Sequence, residues 1–275
     1  MTKTNQQKVK DFLINNGVII VMFILVIYTG FTSDNFFTKN NFMNILMNMS
    51  SRLVIALGIA GCVITAGCDL SAGRMIGFGA CISGMLLQRM DYSGKFFPDM
   101  QPLNVFVVAL IAMLVCAAFG TVTGFFIAYL NVPPFIATLA MMEIVYGIGL
   151  IVTNATPLGG YVEQYTNVSN GKFLGINYLI WIAIIVAVIT WFIFNMTRHG
   201  KYMYAIGGNP QAAEVAGVPV KATLILIYMK AAAMYGLAGF MLGAKAGGAS
   251  VQTGYGYEME AIAACTIGGV SVTGG

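Results

Sequence analysis

Apolar residues come in runs long enough to cross a bilayer, separated by short polar breaks. Residues 12–33 carry no charge and follow a polar stretch holding Lys8 and Lys10. With no small-residue cleavage site, this run reads as a retained span and not as a signal peptide. A second run covers about 45–67, with Arg52 near its start, and a third covers roughly 70–88, with Arg74 at its head. Residues 100–142 hold no charge at all, too many for one helix through about 30 Å of hydrocarbon. Pro133-Pro134 divides them, because proline lacks the N–H and restrains its predecessor. One span therefore ends near Leu130 and another runs over 135–152. Residues 173–195 and 222–246 complete the set, the last interrupted by Lys230 and closed by Lys245. The pattern predicts one all-α polytopic membrane domain over 1–275, with about seven transmembrane helices. Irregular segments are expected near 67–74 and 247–275.

Composition agrees. Hydrophobic residues make up 58% of the 275 and charged residues 9%, against roughly a quarter charged in soluble domains. So few charges cannot cover a water-facing surface, and lipid must meet much of the protein. The net charge of +4 is scattered, and no basic patch points to nucleic acid. The five cysteines lie in apolar runs without C-x-x-C or a nearby histidine, so they read as small packing residues and not as a disulfide or zinc framework.

The distribution of Lys and Arg sets an expected orientation. With the amino terminus cytoplasmic, inner segments hold Lys3, Lys8, Lys10, Arg198, Lys201 and Lys221, and outer ones hold Lys39, Arg89, Lys95 and Lys172. The main inner loop is then 196–221. The outer segments are 32–41, 89–102, 154–172 and the stretch after Gly247.

Many of the 33 glycines recur at four-residue spacing inside spans, as at Gly73/Gly77, Gly120/Gly124 and Gly239/Gly243/Gly247. Such spacing gives a helix a flat face that another helix can approach closely. The eighteen methionines read as lipid-facing or gap-filling.

Two segments carry more specific signals. Gly67-Cys68-Asp69-Leu70-Ser71-Ala72-Gly73-Arg74 breaks two spans with an acid, a base and two glycines. Irregular backbone at membrane depth survives only where protein or water satisfies it. Asp69 and Ser71 suit N-cap positions for the third span, and a substrate contact is the alternative reading. Inside 196–221, Asn209-Pro210-Gln211-Ala212-Ala213-Glu214-Val215-Ala216-Gly217 has a good N-cap, proline at the first helical position and a glycine stop. It predicts a short helix about 10 Å long, flanked by Gly207-Gly208 and Pro219, with Ala212, Ala213 and Ala216 as a small-residue face that fits a cleft on another protein.

Several stretches then resemble the permease subunits of bacterial monosaccharide ABC importers. They are 55–79, Asn131-Val-Pro-Pro-Phe-Ile-Ala-Thr-Leu139, Tyr204-Ala-Ile-Gly-Gly-Asn-Pro-Gln-Ala-Ala213 and Ala261-Ile-Ala-Ala-Cys-Thr-Ile-Gly-Gly269. The galactose/methyl-galactoside branch is the most similar, through 128–135 and 258–275. The resemblance spans essentially the whole chain. It implies a homodimeric pore in the bacterial plasma membrane, fed by an extracytoplasmic sugar-binding protein. It also implies a twin-domain ATPase that holds the ATP and magnesium, so no cofactor is expected on this chain. The loop matching 204–218 would supply the coupling helix, giving Gly207, Asn209, Pro210, Ala212, Ala213, Glu214 and Gly217 that role. A ribose or xylose permease is the neighbouring alternative.

Two features depart from the family. Its members continue past Gly268–Gly275 for several dozen residues, so the chain is expected to be truncated, and an inactive fragment is a further reading. Glu143 and Lys230 stand where the family carries uncharged residues. Glu143 lies nine residues after Pro134 and Lys230 seven after Thr223, both about 10–14 Å from the inner boundary. An unpaired intramembrane charge is expensive, so the equal depths predict a mutual ion pair. The alternative is a snorkelling Lys230 with Glu143 protonated or facing water.

No catalytic motif stands out. His199, the sole histidine, precedes Gly200 beside Arg198 and Lys201 and reads as solvated or facing headgroups. Thr253-Gly-Tyr-Gly256 is superficially like a potassium filter, but it lacks the valine and is followed by Glu258 and Glu260. Pore-lining residues cannot be named from the pattern.

Overall fold

The computed structural model describes residues 17–33 and 35–275. Lys3, Lys8, Lys10 and the start of the first expected span lie outside the described residues. Eleven helices and one short hairpin are present among those described. The first five are α1 (Gly17–Thr32), α2 (Lys39–Ile64), α3 (Ala72–Leu86), α4 (Val105–Tyr129) and α5 (Pro134–Thr153). After the short α6 (Glu163–Asn170) come strands β1 (Lys172–Phe173) and β2 (Ile176–Asn177). The remainder are α7 (Tyr178–Met196), α8 (Arg198–Gly208), α9 (Pro210–Val215), α10 (Val220–Ala246) and α11 (Tyr257–Ile267).

Helices α2, α4, α5, α7 and α10 are long and apolar enough to cross a membrane, while α1 and α3 are shorter apolar helices. The protein is an all-α, multi-pass membrane protein. Its backbone forms two compact units that meet at Leu46/Met47. The described part of the first holds α1 and the first turns of α2. The site lies in the second.

Local sequence explains most boundaries. Asn104 starts α4 by accepting a hydrogen bond from Phe106 N–H at 2.9 Å, and Pro134 occupies the first position of α5. Two starts differ from expectation. The sixth span begins at Tyr178, because Leu174 and Gly175 take positive φ (53° and 79°) and turn residues 172–177 into a hairpin. Asn177 then caps α7 by accepting from Leu179 N–H at 2.8 Å. The third span starts at Ala72 and has 15 residues, about 22 Å of helix, short of a full crossing.

Helix α10 is the centre of the second unit, packing chiefly on α4 and α3. Glycines allow the approach. A Cβ on Gly79 would lie 2.9 Å from Gly236 Cα, one on Gly239 2.7 Å from Ala80 N, and one on Gly124 2.7 Å from Ile225 Cα. Gly120, Gly124, Gly239 and Gly243 therefore face neighbouring helices, Gly73 and Gly77 turn instead to the segment after Gly247, and Gly247 itself ends α10 at φ 66° with nothing within 4 Å of a Cβ. By contrast α7 exposes Ile185, Val188, Trp191 and Phe192, as a lipid-facing helix should.

Two helices form in connecting segments where no span was expected. α6 is polar, yet its Tyr165 is fully buried and donates to Phe240 O at 2.7 Å, while Ser169 Oγ donates to Ala244 O at 3.1 Å. α8 buries Gly200, Met203 and Ile206 on one side. The expected irregularity after Gly247 is only partial, since α11 forms within it. α11 follows α2 in the same direction, from Glu260 at Arg52 (2.7 Å) through Cys265 Sγ at Ala56 O (3.2 Å). Gly275 N then meets Ile64 O at 3.1 Å.

Candidate functional site

The two segments that interrupt the apolar pattern meet each other. Between α2 and α3, Ala66 turns the chain with φ 56°, and the following backbone is satisfied by side chains. Thr138 Oγ of α5 accepts from Leu70 N–H and donates to Cys68 O, each at 3.2 Å. Asp69 is buried and accepts from Ser71 N–H at 3.0 Å, Ser71 Oγ at 2.6 Å and Tyr235 OH at 3.0 Å. Ser71 stands at the N-cap position but makes no capping bond with its side chain, because its hydroxyl donates to Asp69. Asp69 thus ties the break to α10. We expect Tyr235→Phe to lower stability by about 1–3 kcal/mol through the acceptor left buried and unpaired, read from thermal unfolding of detergent-purified protein. An unchanged midpoint would show that the tie carries no weight.

One turn into α3, Arg74 is buried between two rings, its guanidinium 3.9 Å from the Tyr146 centroid and 4.3 Å from that of Tyr255. Its Nη1 donates to Gln252 Oε1 at 2.6 Å, and Gln252 Nε2 donates to Tyr146 OH at 3.1 Å. Gly73 gives room to the buried Glu258 carboxylate. Arg74 Nε and Glu258 Oε2 are both buried without a hydrogen-bond partner, and the two side chains form no ion pair. Thr253 and Gly254 direct their carbonyls at Gly77 and Gly73, so this turn packs on α3 and is not arranged as a filter.

A second cluster sits beside the first. Arg52 Nε donates to Glu260 Oε2 at 2.7 Å, and its guanidinium lies 4.7 Å from the Tyr257 ring centroid. Both charged side chains stay open, 42% and 52% exposed. Nothing in the linear pattern singled out Arg52, Tyr146, Gln252, Tyr255, Tyr257 or Glu260 as a group. The available signal was the number of polar and aromatic residues in 252–260.

In the 196–221 loop, Asn209 Oδ1 accepts from Ala212 N–H at 3.0 Å, Pro210 starts α9, and Gly217 ends the turn with φ 84°. The expected short helix is present, but its small-residue face is divided. Ala213 is buried against the rest of the chain, whereas Ala212, Glu214 and Ala216 are exposed and Val215 is 91% exposed. Gly207 lets α8 press on Ile64 O.

Glu143 and Lys230 are not brought together. The ion pairs among the described residues are Arg52–Glu260 and Arg89–Asp91. Lys230 borders a cavity of about 20 Å³ with His199, Thr190 and Met203, while Glu143 is exposed on α5. Equal depth fixed the height of each charge but not the side of its helix. His199, expected to be solvated or facing headgroups, is half-buried. Burial first, and Lys230 second, lower its pKa to about 4, leaving it neutral at pH 7.

Residues 41–275 match the family described as the branched-chain amino acid transport system / permease component. The galactose/methyl galactoside import permease protein MglC of Haemophilus influenzae is 41% identical over 282 residues, covering 100% of this chain and 84% of that protein. The protein of the same name from Escherichia coli K12 is 39% identical with the same coverage. The ribose import permease protein RbsC of Escherichia coli K12 is 32% identical over 270 residues, covering 97% of this chain and 80% of that protein. No solved structure matches.

Proposed function

The chain belongs to this permease family, and we propose that it is the membrane-spanning subunit of an ABC importer for galactose and methyl galactosides. The observation that carries the sugar assignment is identity along the full chain: 39–41% to galactose/methyl galactoside permeases, against 32% to the ribose permease. In this reading the bacterial plasma membrane holds two copies of the chain, with the amino terminus and the 196–221 loop cytoplasmic. An extracytoplasmic binding protein delivers sugar to the opposite side, touching the 154–172 segment. A twin-domain ATPase binds ATP and magnesium, and its movement reaches the permease through α9.

The exposed apolar tip at Val215 supports the docking role of Asn209, Pro210, Ala212, Glu214 and Gly217. A large exposed side chain on a capped, rigid turn is a surface for protein contact. Gly207 and Ala213 serve the same loop from inside, by seating it on the permease. Asp69, Ser71, Gly73 and Arg74 hold the break at which α3 begins. Glu143 and Lys230 act separately, Glu143 towards water and Lys230 beside His199. Transport needs differential contacts in the inward- and outward-open states, and it needs no covalent step on this chain.

Uptake decides the reading. Cells lacking other galactose uptake, supplied with this permease, its ATPase and its binding protein, should accumulate labelled galactose, with methyl galactoside competing and ribose or xylose competing poorly. Ribose uptake without galactose uptake would transfer the assignment to the ribose branch.

A further inference from the structure

Segment 252–260 and the adjoining turn of α2 present an arrangement unsuited to lipid. Arg52 lies four residues beyond Asn48, whose side chain accepts from Lys245 at the end of α10. It also lies twelve residues before Ile64, so it sits about 6 Å inside one end of the bundle and about 18 Å from the end of α2. Exposing a charge to acyl chains costs about 2.5–3.5 kcal/mol at the centre of a membrane helix even on the lenient insertion scales, and less towards its ends. Yet the Arg52 and Glu260 side chains are 42% and 52% exposed, Tyr255 is 59% exposed, and Gln252 is exposed beside it. Behind this front, Arg74 Nε and Glu258 Oε2 are buried without partners. Polar groups unmet behind and charges open in front describe a surface built to face water.

We propose that this face is the sugar-contacting wall of the translocation path, with Arg52, Glu260 and Tyr255 making the contact. The chemistry suits a neutral polyol. Each sugar hydroxyl both donates and accepts, so an arginine with N–H groups left over beside a carboxylate offers complementary partners in one place. Because Arg52 and Glu260 neutralise each other, the wall needs no net charge on its ligand. The Tyr257 ring holds the guanidinium in place at 4.7 Å, and the exposed Tyr255 ring offers an apolar face for the C–H side of a pyranose. The sugar identity rests on the function proposed above. The placement of the wall rests on exposure and depth alone.

The test uses the complete transporter with its ATPase and binding protein. Glu260→Cys and Tyr255→Cys should react with a membrane-impermeant methanethiosulfonate above the background of the unsubstituted chain, and galactose should slow the reaction. Ile185→Cys on the lipid-facing side should stay unreactive. Glu260→Gln should raise the KM for galactose about tenfold, the loss of one charge-assisted hydrogen bond, with unchanged amount in the membrane. In the charge exchange Arg52→Glu with Glu260→Arg, a purely structural pair would regain wild-type KM, whereas a contact keeps it raised. Absence of labelling, labelling that galactose does not slow, or a restored KM in the exchange overturns the wall. Wild-type uptake of ribose in place of galactose overturns only the sugar assignment. Protection by ribose would then support the wall, and its absence would overturn it.

Discussion

Gly236→Val is expected to abolish folded permease. Gly236 sits where three helices converge: a Cβ there would meet Ala112 O and lie 3.0 Å from Met113 Cα on α4, while Gly79 of α3 approaches its other side. These neighbours are backbone atoms, which cannot rotate away as a side chain can. Overpacking ordinarily costs about 1–3 kcal/mol, and displacing the backbone of α4 belongs at the top of that range, about 3 kcal/mol. The measurement is the monodisperse fraction of detergent-extracted protein on size exclusion. Gly236→Ala should lie between wild type and Gly236→Val, because even one Cβ is too close. Gly147→Val is the control, since nothing lies within 4 Å of a Cβ there. Equal yields from Gly236→Val and Gly147→Val would refute the packing argument.

Val215→Arg should eliminate uptake while leaving the permease at its normal level in the membrane. The side chain is 91% exposed and touches little of its own chain, so folding has no reason to change. An unpaired charge forced into a buried contact costs about 3 kcal/mol, roughly a hundredfold in affinity. The ATPase should then be lost from a pull-down of the permease. Ala213→Arg makes the contrast: Ala213 is 4% exposed, so it should lower the amount of permease as well. Normal uptake and pull-down by Val215→Arg would place the ATPase contact elsewhere.

That contrast shows where linear reasoning stopped. Asn209, Pro210 and Gly217 mark the ends of the short helix, because capping, proline geometry and positive φ are local properties. Which of its residues faces outward depends on how α8 and α9 seat against the rest of the chain. The three alanines looked equivalent in sequence, and the seating buries one of them. Pro133-Pro134 split the long apolar run correctly for the same local reason. The hairpin before α7 was missed because Leu174 is an uncommon residue at positive φ.

Glu143 and Lys230 illustrate a second limit. A span and a rise per residue give depth, but an ion pair also needs facing sides. α5 packs on α3 and α4 while Lys230 lies against Thr190, His199 and Met203. The same applies to Asp69. Its place at a helix break was legible, but its partner Tyr235 is 166 positions away, and no local pattern connects them.

What the sequence determined by itself was the solvent: runs of apolar residues sum their transfer energies locally, so the membrane and most breaks between apolar segments are written in order along the chain, whereas which helices are long enough to cross was decided by the fold. The tertiary structure alone decided which faces meet. Glycine spacing announces that helices approach, whereas the choice of neighbour is made by the simultaneous fit of α3, α4 and α10. Likewise, the polar wall exists only because 252–260 folds back onto α2 and α3, bringing Arg52 to Glu260 from 208 positions away. Contacts of that range depend on rotation about each helix axis and on chain reversal, and neither is encoded by hydropathy.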